Sequence, residues 1–190
     1  MTRLSLVLIL LAMLTTQGNA AEKPDAAGVA VIELFTSQGC SSCPPADRLL
    51  SRLASDPRYA GKVIPLSFHV DYWNYIGWTD PFSSADFSQR QRAYAQRAFR
   101  SHRVYTPQVV VNGRDECVGS GENASKSLHN DRVVRRFVKA LTLSGAAGAE
   151  GSAEVTFKLD RGWKRETLGV AAFLQDPKTL AIHGAAAKAL

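Results

Sequence analysis

The feature that most constrains this chain is a pair of cysteines separated by two residues, Cys40-Ser41-Ser42-Cys43, set between an apolar run and an amphipathic one. Before it, Val29 to Thr36 (VAVIELFT) is nearly continuous in apolar and β-branched residues, the pattern of a strand buried on both faces. After it, Ala46, Leu49, Leu50 and Leu53 fall at i, i+3, i+4 and i+7, the apolar stripe of a helix. Asp47 sits in the first turn, where negative charge suits the helix dipole, and Asp56-Pro57 ends the pattern. The pair therefore lies on a strand-to-helix turn. Unpaired N–H groups and the positive dipole end favour thiolate at Cys40, and thiolate is the form that attacks disulfides. Cys43 is close enough to reach back and resolve a mixed disulfide. The same spacing also fits a structural disulfide or half of a zinc site. Zinc wants four ligands, and Cys117, His69, His102, His129 and His183 show no ligand spacing. Pro44-Pro45 leaves two options. Proline disfavours helical backbone at the residue before it, so the helix starts late, or else the prolines occupy its first turn.

Further along, Val63 to Val70 (VIPLSFHV) reads as a second strand and 71–82 as an aromatic loop. Residues 84–100 read as a helix with Phe87, Tyr94, Ala95 and Ala98 inward. Gln108 to Asn112 is a short strand after Thr106-Pro107. Asn112-Gly113 is a hairpin turn, and Glu116 to Val118 pairs back. Residues 131–141 place Val134, Phe137, Val138 and Leu141 on one helical face with Asn130 as N-cap. A small-residue linker, 143–153, precedes alternating Val155, Phe157 and Leu159 and an apolar strand from Leu168 to Leu174, which together read as a hairpin. Alternating strands and helices favour an α/β fold, a central sheet flanked by helices over 28–143, with a small C-terminal β extension at 150–190.

The first 20 residues read as a secretory signal peptide. Arg3 is a basic start, Leu4 to Leu14 an apolar run too short to span a bilayer, and Gly18-Asn19-Ala20 a cleavage site. No later segment approaches the roughly 18 apolar residues of a membrane helix, so no stable membrane insertion is expected. Losing Arg3 takes the net charge from +6 to +5. That modest basic excess does not argue for nucleic acid, and export argues against it. The expected location is the periplasm or outside the cell. Arg90, Arg92, Arg97, Arg100, His102 and Arg103 make one helix basic, read as a solvated face. Three cysteines are an odd number. Cys117, in the hairpin strand, is expected to be a buried inert thiol.

Other residues bear on the cysteine pair. Glu33, seven residues before Cys40, is a candidate to accept the proton of Cys43 if buried beneath it; the plainer reading is a carboxylate facing solvent or a basic partner. Tyr72, Trp73, Tyr75, Trp78 and Phe82 form either a substrate-facing wall or a private core for a long loop. Asp71 and Asp80 lack the spacing of a cation site.

Four stretches carry a resemblance: Glu33 to Asp47 (ELFTSQGCSSCPPAD), His69 to Phe82 (HVDYWNYIGWTDPF), Arg90 to Tyr94 (RQRAY) and Val104 to Gly113 (VYTPQVVVNG). Over about residues 29–120 the chain resembles a bacterial family of secreted thioredoxin-like proteins with no assigned function. The resemblance implies a thioredoxin fold with Cys40 and Cys43 at the redox position and Pro107, after Thr106, at the cis-proline position. The family's Gly-Glu-Asn…Val-Val-Arg motif is similar to Gly121-Glu122-Asn123 and Val133-Val134-Arg135, here compressed together. The expected function is exported thiol–disulfide exchange through Cys40 and Cys43, with Thr106-Pro107 and Glu33 in support and Tyr72, Trp73 and Trp78 lining a substrate groove. Its partners would be protein thiols or disulfides and a redox partner protein. No organic cofactor or metal is needed, because the dithiol is itself the redox group. The alternative is a binding module in which a Cys40–Cys43 disulfide only staples the loop.

Overall fold

The computed structural model describes residues 3–10, 28–119, 130–144 and 149–190. Its elements run β1 (Arg3–Leu10), β2 (Ala30–Thr36), α1 (Pro44–Ser55), β3 (Val63–His69), α2 (Ala85–Ala93), β4 (Gln108–Val111), β5 (Asp115–Val118), β6 (Gly151–Lys158), β7 (Gly169–Gln175) and β8 (Ile182–Ala189). They form an α/β fold in two compact units. One holds 26–135 and 170–188, the other 1–25, 136–169 and 189–190.

The larger unit is built on a four-stranded sheet of order β3-β2-β4-β5. The apolar run at 29–36 becomes its inner strand β2, parallel to β3 and antiparallel to β4. Alternate residues of β2 face opposite layers. Leu34, with Ile32 and Val109 beside it, packs under Ala46 and Leu50 of α1. The other face is shared. Phe35 joins Phe68, Val70, Phe87, Tyr94, Val110 and Leu180, while Val31 joins Ile64 and Ile182 with Ala171, Phe173 and Ala185 of the β7–β8 hairpin. Phe35 stacks on Phe68, whose edge meets Phe87. Truncating a buried ring of this kind costs on the order of 3–5 kcal/mol, so these rings fix the sheet to α2.

The two prolines occupy the first turn of α1, with Cys43 as N-cap. Cys43 keeps helical backbone (φ −78°, ψ −32°) despite the proline after it, so the helix does not start late. Of the expected apolar stripe, Leu49 turns outward. α2 ends at Ala93 and continues as one wider π-type turn, Tyr94–Ala98. The Asn112-Gly113 turn joins β4 to β5 with both residues at positive φ (51° and 68°), as the hairpin reading requires.

Two expectations fail. Residues 131–141 are not a helix; they are extended or irregular. The cause lies in β3, an edge strand whose outer backbone groups need partners. Ser67 N–H donates to Arg132 O, and Val134 N–H donates to Ser67 O, so 132–134 serve as a short strand there. Phe137 and Val138 stand exposed. The second failure is the pairing after the linker. β6 keeps the expected alternation but pairs antiparallel with β1, while β7 pairs with β8. Cleavage-site residues 18–20 and the Gly121-Glu122-Asn123 motif lie outside the described residues. Among the described residues no helix is long and apolar enough to cross a membrane.

Candidate active site

Cys40 and Cys43 form a disulfide on the turn between β2 and α1, with Cα atoms 5.4 Å apart. Backbone hydrogen bonds step through the turn: Cys40 N–H to Ser37 O, Cys43 N–H to Cys40 O, then Ala46 and Asp47 N–H to Cys43 O. Cys40 is 2% exposed and Cys43 0%. Ser42 Oγ lies 3.5 Å from Cys40 Sγ and 3.5 Å from Thr106 O, so the serine bridges the cysteines to the loop before β4. The Thr106–Pro107 peptide is cis, as the resemblance implies.

The aromatic loop closes over this turn and divides the two readings of it. Trp73 Nε1–H donates to Thr106 Oγ1 (2.8 Å), and Tyr72 OH to Gln91 Oε1 (3.0 Å). These two rings are half-buried against the core, the private-core reading. Tyr75 is 80% exposed and Trp78 56%, with Ile76 also outward, the surface reading. Trp78 is nonetheless tethered, its Nε1–H donating to Gln38 Oε1 (2.9 Å). Gly39 fits closely where the loop meets the turn: a Cβ there would lie 3.0 Å from Ile76 Cδ1 and 3.2 Å from Trp73 Cβ.

Glu33 is fully buried, and its two oxygens are claimed by a basic partner. Arg90 Nε donates to Oε2 (2.6 Å), while Arg90 Nη2 (2.8 Å) and Tyr94 OH (2.6 Å) donate to Oε1. Glu33 sits between Leu34 and Ile32 on β2 and faces α2, away from the layer of α1. Glu33 is thus buried, as the proton-acceptor reading needs, but has the basic partner of the plainer reading. Burial works against the charge on Arg90, but the Glu33 carboxylate outweighs it and holds the guanidinium above its ordinary pKa. Burial, followed by the Glu33 charge, pushes the Tyr94 hydroxyl far up, so it remains a donor. Arg90 therefore leaves the basic face and turns inward, touching the rings of Phe68, Tyr94 and Phe173. Arg92, Arg97, Arg100, His102 and Arg103 stay exposed.

The sequence reading missed a second polar cluster, on the α1 side. His69 ends β3 opposite Thr36, 2% exposed, and its Nδ1 lies 2.7 Å from Asp80 Oδ2. The same Oδ2 accepts Gln38 N–H (2.8 Å), and Oδ1 accepts Phe82 N–H (2.9 Å). Burial raises the Asp80 carboxyl, but the hydrogen bonds from His69, Gln38 and Phe82 prevail and hold it below the usual carboxylate value. Thr36 Oγ1 in turn donates to Asp47 Oδ1 (2.8 Å) in the first turn of α1. A histidine at the end of a strand followed 11 residues later by an acid carries no spacing signal, so the sequence offers His69 as a poor zinc ligand and Asp80 as a poor cation ligand but does not join them. Cys117, expected to be buried, is an exposed free thiol on edge strand β5. No cluster of potential metal ligands occurs among the described residues.

Comparison with known proteins bears on the same stretch. Residues 31–121 match the family described as Protein of unknown function (DUF1223). No curated protein matches the chain. A crystal structure of a protein from Agrobacterium tumefaciens is 48% identical over 52% of this chain and 41% of its own, with a TM-score of 0.44. The chain thus spans well under half the length of that relative. HBP35 of Porphyromonas gingivalis shares 16% identity over 86% of this chain and 75% of its own, with a TM-score of 0.60, a likeness of fold.

Proposed function

We propose that this chain is an exported thioredoxin-like thiol–disulfide oxidoreductase that works through Cys40 and Cys43. The observation that carries the reading is the disulfide itself, closed at the N-cap of α1 and bridged by Ser42 to Thr106. In that position the reduced Cys40 would be stabilised as thiolate by the helix end, Cys43 would resolve, and the Thr106-Pro107 backbone would face an incoming polypeptide. Exposed Tyr75, Ile76 and Trp78 beside the turn offer apolar surface to an unfolded or extended chain. The partners are protein thiols or disulfides, and the compartment an oxidising one outside the cytoplasm, where disulfides persist.

One observation favours the second reading, a stapled binding module: both cysteines are buried, and an attacked sulfur must be reached. The reduction potential of the pair, equilibrated against glutathione and read by thiol labelling, separates the two. A value near or above about −230 mV is expected and places the pair among catalytic dithiols. A value below about −300 mV marks a bond that stays closed in an oxidising compartment and supports the staple. Cys43→Ser should then trap protein partners as mixed disulfides in the first case and none in the second.

A further inference from the structure

Exchange through two buried cysteines raises a proton problem. When Cys43 resolves a mixed disulfide it must attack as thiolate, yet burial favours the neutral thiol. The acid first considered for this job, Glu33, is spent on Arg90 and Tyr94 and faces α2. On the α1 side stands a group without such commitments. Asp80, an ionised acceptor, requires the hydrogen of His69 on Nδ1, which leaves Nε2 as a lone pair in the neutral ring. Among the described residues His69 Nε2 finds no hydrogen-bond partner, and it is the one buried side-chain nitrogen or oxygen there of which that is so. Buried polar atoms are rarely left so, and a catalytic role is one of the reasons.

Register supplies its place. Thr36 turns toward α1, where it bonds Asp47, and His69 is the residue paired with Thr36 in the parallel ladder, so both share that face. Cys43 is the N-cap of the same helix, four residues before Asp47. A second link runs through Asp80, which binds the imidazole and the Gln38 N–H with one oxygen, two residues before Cys40. The imidazole, the carboxylate that orients it and the cysteine turn are thus one hydrogen-bonded assembly.

From this we infer that His69, oriented by Asp80, takes the proton from the Cys43 thiol when Cys43 closes the active-site disulfide; the inference rests on the oxidoreductase reading above. The Cys40 thiolate attacks a substrate disulfide R–S–S–R, forming Cys40–S–S–R and releasing one R–S⁻. Cys43 then gives its proton to His69 Nε2, and its sulfur attacks Cys40 Sγ. The bond from Cys40 to the substrate sulfur breaks, and the second R–S⁻ takes the proton from His69 and leaves as R–SH. The substrate disulfide is reduced to one thiolate and one thiol, and the cysteine pair is oxidised to the disulfide seen here. Among the described residues, the charged groups that face the imidazole are Asp80 from the loop, Asp47 from α1 beyond Thr36, and Arg135, whose guanidinium covers the Phe82 ring that meets His69 edge-on.

The test follows both steps in one experiment. The full chain carrying Cys117→Ser, so that the exposed third thiol takes no glutathione, is reduced, freed of reductant and mixed with glutathione disulfide. Acid-quenched samples are resolved by mass into dithiol, Cys40–glutathione mixed disulfide and closed disulfide. His69→Asn keeps a side-chain donor for Asp80 and removes the nitrogen at Nε2. Its first step should stay within about twofold of the parent, while closure slows on the order of 100-fold and the mixed disulfide accumulates, as loss of a general base predicts. A merely structural histidine would not slow closure alone. Closure of folded His69→Asn at the parent rate overturns the inference and leaves the oxidoreductase reading standing. Should that variant not fold, Asp80→Asn takes its place, with closure expected to slow about tenfold and a parent rate again overturning the assignment. If the parent itself neither forms a mixed disulfide nor closes in glutathione disulfide, the oxidoreductase reading fails and the inference falls with it.

Discussion

At the scale of single residues, the most consequential pairing joins two charges that the sequence places on different elements. Glu33 and Arg90 lie fully or nearly out of water and are satisfied by each other, by Tyr94 and by Gln175. Breaking such a pair leaves one charge buried without its counter-charge, which costs about 3–5 kcal/mol, whereas replacing both members with apolar residues of similar size is often close to neutral. Glu33→Gln should therefore lower the unfolding free energy by roughly that amount. Glu33→Leu combined with Arg90→Met should recover most of it. Denaturant titrations of the three proteins check this, and a double variant as unstable as the single one would show that the hydrogen bonds to Tyr94 and Gln175, not the charge balance, hold the cluster. The sequence displayed Glu33 as an interruption of an apolar strand, and so marked it as unusual. It did not display the partner, because the period of α2 counted Arg90 among the arginines of a solvated face.

At the scale of elements, legibility followed local chemistry. The Asn112-Gly113 turn is readable because positive φ at both positions favours those residue types, and the structure also shows what holds Gly113 in place. Its φ is 68°, and a Cβ would lie 1.9 Å from Leu180 O, a backbone atom of the hairpin between β7 and β8. Asn112 fastens the same turn to the sheet, its Oδ1 accepting Val31 N–H and its backbone O accepting Ile182 N–H. Gly113→Ala should thus lower the melting temperature more than turn strain alone, which is about 1–3 kcal/mol, would explain. It should also loosen the β7–β8 hairpin, seen as faster amide exchange at Ile182. Unchanged exchange there would show that the hairpin does not depend on this close approach. The failed helix at 131–141 is the opposite case. Its apolar spacing was sound, but the unpaired edge of β3 offered Ser67 as a backbone partner, and no local pattern reports what a distant strand edge needs. The His69–Asp80 pair escaped for the same reason, since only the parallel register of β2 and β3 brings His69 level with Thr36.

At the scale of the whole molecule, the two compact units would respond differently to removal of the segment read as a leader. The larger unit holds the cysteine pair, the His69–Asp80 pair and the Glu33–Arg90 pair, all within 26–135 and 170–188. In the other, β6 takes its ladder partners from β1, with Leu4 opposite Phe157 and Leu6 opposite Val155, and β1 lies wholly inside the segment read as a secretory leader. Export would remove that partner. A chain beginning at Ala21 should therefore keep its protected amides in β2 and β4, because nothing in their ladders comes from the leader, and should lose protection along β6, whose alternation of half-buried and exposed residues would then border an open strand edge. Amide exchange by mass spectrometry on the 21–190 and full-length forms reads both regions at once. Protection along β6 that survives removal of the leader would mean that another segment supplies its partner. Loss of protection in β2 would mean that the leader supports the cysteine-bearing unit, contrary to the division of contacts. Sequencing the N-terminus of the protein recovered from cells tests the leader reading itself: an end at Ala21 is expected, and an intact N-terminus would overturn it.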